Sequence, residues 1–205
     1  MTRLAAPATR TVATAYLQTM KDLLRLIDVD AIERVVQRLR EARERRTTIF
    51  VAGNGGSAAT AAHFVNDLGK AAKRTGCTPI RAMSLSDNTP WLTALANDEG
   101  YDRAFAGQME NFAEPGDVLI VISASGNSPN LVRATELARA REMTAIGFLG
   151  FDGGVLKDMV DDRIWIPTER GAYGPVEDCH AILCHTITAC LTADGMATEE
   201  RTAAW

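Results

Sequence analysis

Nowhere do the 205 residues hold the roughly 18 consecutive apolar positions of a membrane span. No charged-then-apolar leader opens the chain either. These two absences predict a soluble, cytoplasmic protein with no membrane partner. Positive charge is in deficit, with 22 Lys and Arg against 26 Asp and Glu and a net charge of −4. That balance argues against a nucleic-acid-binding surface. The one basic run, Arg40 to Arg46, is interleaved with Glu41 and Glu44 and reads as a solvated helix end. Cysteine is sparse: Cys77, Cys179, Cys184 and Cys190 show neither C-x-x-C spacing nor zinc-finger-like histidine partners. Three of them fall in one apolar helix, where a free thiol packs as a small hydrophobe, and reduced thiols suit the cytoplasm. No Gly-Lys-Ser/Thr loop and no G-x-G-x-x-G turn is present, which argues against a nucleotide cofactor.

What the chain does hold is organised around Thr48 to Leu68. A buried strand, Ile49 to Ala52, breaks at Gly53-Asn54-Gly55-Gly56 and restarts as a helix at Ser57. Glycine lets the backbone turn sharply and approach a ligand. A helix opening there aims free N–H groups and the positive end of its dipole at an anion. Further along that helix, His63 and Asp67 stand four residues apart on one face. A histidine in such a place can be a satisfied core residue. With a carboxylate one turn away and a phosphate-type loop ahead, it reads as part of a site.

The layout repeats. Val118 to Ser123 is a continuous apolar run of the buried parallel kind. It feeds Ser123-Ala124-Ser125-Gly126-Asn127-Ser128, then a helix from Pro129 to about Arg141. Three hydroxyls and a fresh helix N-terminus can bind a dianion without a fixed positive charge. One Gly/Ser turn is weak evidence, and two in one small domain are stronger. Further strands are expected at Pro79–Leu85, Thr144–Leu149 and Arg163–Pro167, and further helices from Pro90, over Tyr101–Phe112, near Val155–Met159 and from Gly174-Pro175 to about Thr192. In that last helix Glu177 and Asp178 are placed in the first turn, where the dipole favours acids. Alternating strands and helices imply an α/β fold, a doubly wound parallel sheet flanked by helices. Ahead of it, Thr9 to about Arg45 reads as helical with a break at Asp28-Val29-Asp30 and Asp30 as the cap. The expected division is a helical oligomerisation segment, residues 1–46, and a catalytic domain, residues 47–205, with residues 1 to 8 loose.

The segments Gly53-Asn54-Gly55-Gly56-Ser57 through His63, Asn97-Asp98-Glu99-Gly100-Tyr101, Ser123 through Asn130, Gly153-Gly154, Glu177-Asp178-Cys179-His180 and His185 together resemble the phosphoheptose isomerases of the SIS (sugar isomerase) superfamily. The resemblance implies a homotetramer that interconverts sedoheptulose 7-phosphate and a manno-configured heptose 7-phosphate. It implies phosphate on Ser123, Ser125 and Ser128, with Asn54, Gly55 and Ser57 contributing from the first loop and Asp98 holding sugar hydroxyls. It also implies a divalent metal, expected to be zinc, on His63, Asp67, Glu177 and His185. Asp67 or Glu177 is the expected base and His185 the expected acid. Three positions depart from the family pattern: Asp67 replaces Glu, Glu177 replaces Gln, and Ala124 replaces Thr. The alternatives left open are an isomerase of another sugar phosphate, or a non-catalytic member that binds sugar phosphate or a protein. His180 faces another side of its helix from His185, and a structural hydrogen bond is its expected role.

Overall fold

The computed structural model describes residues 8–73 and 77–194; the expectation for the first residues falls almost wholly outside them. Two helices, α1 (Thr9–Leu24) and α2 (Val29–Arg45), precede the first strand. The cap between them is Asp28, whose carboxylate accepts from the Asp30 and Ala31 amides at 2.9 and 3.2 Å. Asp30, the expected cap, is already inside the helix. The chain bends one residue pair earlier than the Asp-Val-Asp repeat suggests, because either aspartate can serve and Val29 starts the helical turn.

Five strands, β1 (Thr48–Gly53), β2 (Arg81–Ser84), β3 (Val118–Ser123), β4 (Thr144–Leu149) and β5 (Asp162–Trp165), form one parallel sheet in the order β2-β1-β3-β4-β5. Asp117 pins its central pair at the lower edge, accepting from Thr48 N at 2.7 Å and Glu114 N at 3.0 Å. Alternation along the strands divides the core. Ile49, Val51, Ile120, Ile122, Ile146 and Phe148 face a layer made by α1, α2, α3 (Gly56–Asn66) and α7 (Tyr173–Ala193). Phe50, Ala52, Leu119, Val121 and Ala145 face α5 (Ala106–Met109) and α6 (Pro129–Ala140). Burial on both faces explains the unbroken apolar runs.

Helix α4 (Thr89–Asp98) is capped by Asn88, which accepts from Trp91 N at 3.2 Å, with Pro90 in its first turn. The single helix expected over Tyr101–Phe112 is instead a short 3₁₀ turn, Tyr101–Arg103, followed by α5. Near Val155 the chain makes one 3₁₀ turn. The basic run differs most from expectation. Arg43 is buried, and both Arg40 and Arg43 reach Asp194 just past α7, at 2.6 Å each. A partner 151 residues away leaves no trace in the local charge pattern.

Candidate active site

The strand order reverses between β1 and β3, and the loops leaving these two strands flank the crevice that parallel sheets use for ligands. An open cavity of about 140 Å³ lies there, lined by Asn54, Ser57, Ser123, Ser125, Ser128, Tyr173 and Glu177 among others. Ser123 Oγ accepts from Gly126 N at 3.0 Å and Ser125 Oγ from Asn127 N at 3.3 Å, so the second loop is folded by its own serines. Gly126 sits at φ +63°, and a Cβ there would overlap the Gly153 carbonyl. The Gly153-Gly154 turn thus packs directly beneath this loop, with Val155 N donating to Asn127 Oδ1 at 3.0 Å. Ser128 precedes α6 without capping it through its side chain, and its hydroxyl remains for a ligand.

The two loops are fastened by a pair of amides, Asn54, expected as a phosphate-site residue, and Asn130, for which the sequence suggests no such role. Asn54 Nδ2 donates to Asn130 Oδ1 at 3.0 Å, and Asn130 Nδ2 returns a bond to Asn54 Oδ1 at 2.9 Å. Tyr101 Oη adds a bond to the same Asn54 oxygen at 2.8 Å. Asn54 therefore lines the cavity chiefly as the clamp between β1 and α6, with one N–H to spare. Tyr101 and Asn130 stood within the quoted segments, but partners 47 and 76 residues away carry no local signal.

Gly55, at φ +54°, makes the turn into α3. The next residue, Gly56, meets Glu177: a Cβ at Gly56 would overlap the Glu177 carboxylate. Helix α7 begins at Tyr173, so Glu177 and Asp178 lie past its first turn, and the dipole role expected for them at their own helix does not apply. Asp178 instead accepts from Tyr16 Oη on α1 at 2.6 Å. That bond, with burial and the Asp178 charge adding to it, raises the Tyr16 phenol to about 12. Asp98 ends α4, exposed and accepting from Asn97 at 2.7 Å, and it does not line the cavity.

A second cluster lies further along α3 and α7. His63 Nε2 and His185 Nε2 are 2.8 Å apart, their rings nearly perpendicular. Asp67 Oδ2 lies 3.2 Å from the first nitrogen and 3.7 Å from the second. Asp67 is buried while both imidazoles are exposed on their outer side. Beyond Asn66 the helix widens into a π turn, Asp67–Ala71, closed by Ala72 N donating to the Asp67 carbonyl at 2.9 Å. Such widened turns re-aim side chains. Two imidazole nitrogens and a carboxylate oxygen, all within 4.8 Å of one another, form a donor set suited to a divalent cation. The close approach of the two Nε2 atoms itself asks for a proton or cation between them.

The structure thus brings together His63, Asp67 and His185, and separately Asn54, Ser57, Ser123, Ser125 and Ser128. Glu177 stands with the serines and not with the histidines. Eight residues along α7 separate it from His185, a rise of about 12 Å. His180, expected to be held by a hydrogen bond, is fully buried; neither ring nitrogen makes a well-formed hydrogen bond to the described residues, and the Leu149 backbone lies close enough to favour its protonated form.

The SIS domain family model matches residues 15–150. The phosphoheptose isomerase of Bordetella avium is 41% identical over 142 residues, covering 68% of this chain and 71% of that protein. That of Trichlorobacter lovleyi is 40% identical over 159 residues, covering 76% and 80%. The solved phosphoheptose isomerase from Neisseria gonorrhoeae superposes with a TM-score of 0.80 at 28% identity, covering 90% of this chain and 97% of that one. On shared sheet, shared loops and this level of identity, the chain belongs to the phosphoheptose isomerases of the SIS domain family.

Proposed function

We propose that this protein is an aldose–ketose isomerase converting sedoheptulose 7-phosphate to D-glycero-D-manno-heptose 7-phosphate through an enediol. The pairing of a serine-lined pocket at the sheet's switch point with a His–Asp–His cluster whose imidazoles are exposed carries this reading. The phosphate rests on Ser123, Ser125 and Ser128 at the N-terminus of α6, with Ser57 and the spare Asn54 N–H opposite. The carbonyl end reaches towards the His–Asp–His cluster of α3 and α7, and Asp98, at the end of α4 and outside the cavity, is proposed to hold sugar hydroxyls that project beyond it.

Isomerisation moves a proton between adjacent carbons while a second proton moves between their oxygens. Asp67 takes the proton from the hydroxymethyl carbon beside the ketone and returns it to the former carbonyl carbon. His185 donates to the carbonyl oxygen as the enediol forms and recovers a proton from the neighbouring hydroxyl as it collapses. His63 shares a proton with His185 and so keeps it near the carbonyl oxygen. A divalent cation, zinc by donor type, would be held by His63, Asp67 and His185 and would polarise the carbonyl when bound. The exposed apolar residues of α1 support self-association as a homotetramer, and free thiols at all four cysteines support a reducing, cytoplasmic setting.

Turnover of sedoheptulose 7-phosphate, measured beside His185→Ala and with zinc content read by elemental analysis, tests the reading. Turnover that falls by about 10²- to 10⁴-fold in the variant supports it. Zinc that co-purifies with the protein and is lost in His63→Ala supports the metal assignment. Binding of the phosphosugar without turnover sinks the isomerase and favours a sugar-phosphate-binding role.

A further inference from the structure

The anion position at the start of α3 is already filled, by the protein. The Glu177 carboxylate packs over Gly56, the first residue of that 11-residue helix, and only the missing Cβ admits it. There the carboxylate meets the positive end of the helix dipole. It also lines the same cavity of about 140 Å³ as Ser57, Ser123, Ser125 and Ser128, and no Lys, Arg or His lines that cavity among the described residues. Of the two helix N-termini facing the crevice, α3 is therefore taken by a fixed negative charge and α6 is left open.

We propose that Glu177 is the specificity-determining residue of this pocket, selecting sugar monophosphates over inorganic phosphate and over sugars with a second phosphate nearby. The inference rests on the serine pocket being the phosphate site. A phosphate on the α6 side and the carboxylate on the α3 side repel each other across a small cavity with no side-chain cation to screen them. A carboxylate can only accept hydrogen bonds. A ligand that brings hydroxyl donors alongside its phosphate recovers the repulsion through O–H···O⁻ bonds to Glu177. Inorganic phosphate brings the charge without a chain of hydroxyls, and a second phosphate meets the carboxylate directly. Glu177 is thus a filter on charge placed beside a binder of charge.

Calorimetric titration of inorganic phosphate and of sedoheptulose 7-phosphate into wild type, Glu177→Gln and Ser125→Ala tests this. Removing the charge while keeping the shape is expected to tighten inorganic phosphate by about tenfold or more, the scale of two unit charges about 12 Å apart at an effective dielectric near 20. The phosphosugar is expected to gain less, so its preference over inorganic phosphate shrinks. Unchanged or weaker inorganic phosphate binding in Glu177→Gln, with both ligands still lost in Ser125→Ala, overturns the role of Glu177 and leaves the pocket standing. Phosphosugar binding that survives Ser125→Ala unchanged overturns the pocket, and the filter with it.

Discussion

His180 occupies the buried side of α7, its ring 6.4 Å from that of Phe148 and neither nitrogen in a well-formed hydrogen bond among the described residues. Burial pushes its pKa down to about 4, a shift that the nearby Leu149 backbone only partly offsets. Because the folded value lies below the unfolded one, the unfolded chain binds the extra proton between pH 6.5 and 4. Stability is therefore full above about pH 6.5 and declines as pH falls towards 4. Replacing the ring by Leu removes two unsatisfied groups as well as this proton linkage. His180→Leu is expected to match or exceed wild type in melting temperature at pH 7 and to lose less of it at pH 5, as thermal melts at both pH values would read. Melts that fall in parallel for both proteins would contradict this. The sequence separated His180 from His185 correctly by helical angle, yet it could not show that the inner histidine lacks a well-formed hydrogen bond. That depends on what α7 packs against. The i, i+4 spacing of His63 and Asp67 was legible because both lie on one turn, whereas Glu177 was misread because its neighbour, Gly56, is on another helix.

At the level of elements, the central strands β1, β3 and β4 were visible as apolar runs, since burial on both faces leaves little choice of residue, while the partly exposed edge strands β2 and β5 carry a weaker pattern. The boundaries that moved did so for local reasons: Asp28 outcompetes Asp30 as cap, and α7 starts at Tyr173, ahead of the Gly-Pro pair. Long-range polar ties were not visible. Arg40 and Arg43 converge on Asp194, whose carboxyl burial would raise but whose two arginine partners hold below its ordinary value. A depressed folded value contributes stability above about pH 4 and loses it as pH falls through the folded value. Asp194→Asn is expected to lower the melting temperature at pH 7 by about 2–4 °C, the effect of roughly 1 kcal/mol in a protein of this size. The gap should narrow as pH falls below about 4, the range in which the unfolded carboxyl takes up its proton ahead of the folded one. A constant gap across that range would show that packing, not charge, holds this corner.

On the scale of the whole molecule, α1 buries Met20 and Leu23 against the rest of the fold and leaves Val12, Tyr16 and Leu17 exposed. A helix with a second apolar stripe is suited to another copy of the chain. Leu17→Glu, on the exposed stripe at 69% accessibility, is expected to shift light-scattering mass towards smaller species while far-UV dichroism stays unchanged. An unaltered mass would rule out this stripe as a contact between copies. The sequence pointed to a helix with an unfilled face, but not to which residues α7 would cover.

Both α1 and α2 close against α7, and Arg40 and Arg43 wait for Asp194. The layer containing α5 and α6 draws its buried residues from no further than Val160 and can assemble while synthesis continues. The other layer needs Cys179 to Leu191 from the far end. During synthesis, then, α1 and α2 precede their partner α7 by more than a hundred residues and remain without it until α7 has been made. That layer of the core cannot be completed before α7 is available, and until then the apolar faces of α1 and α2 are open to chaperones.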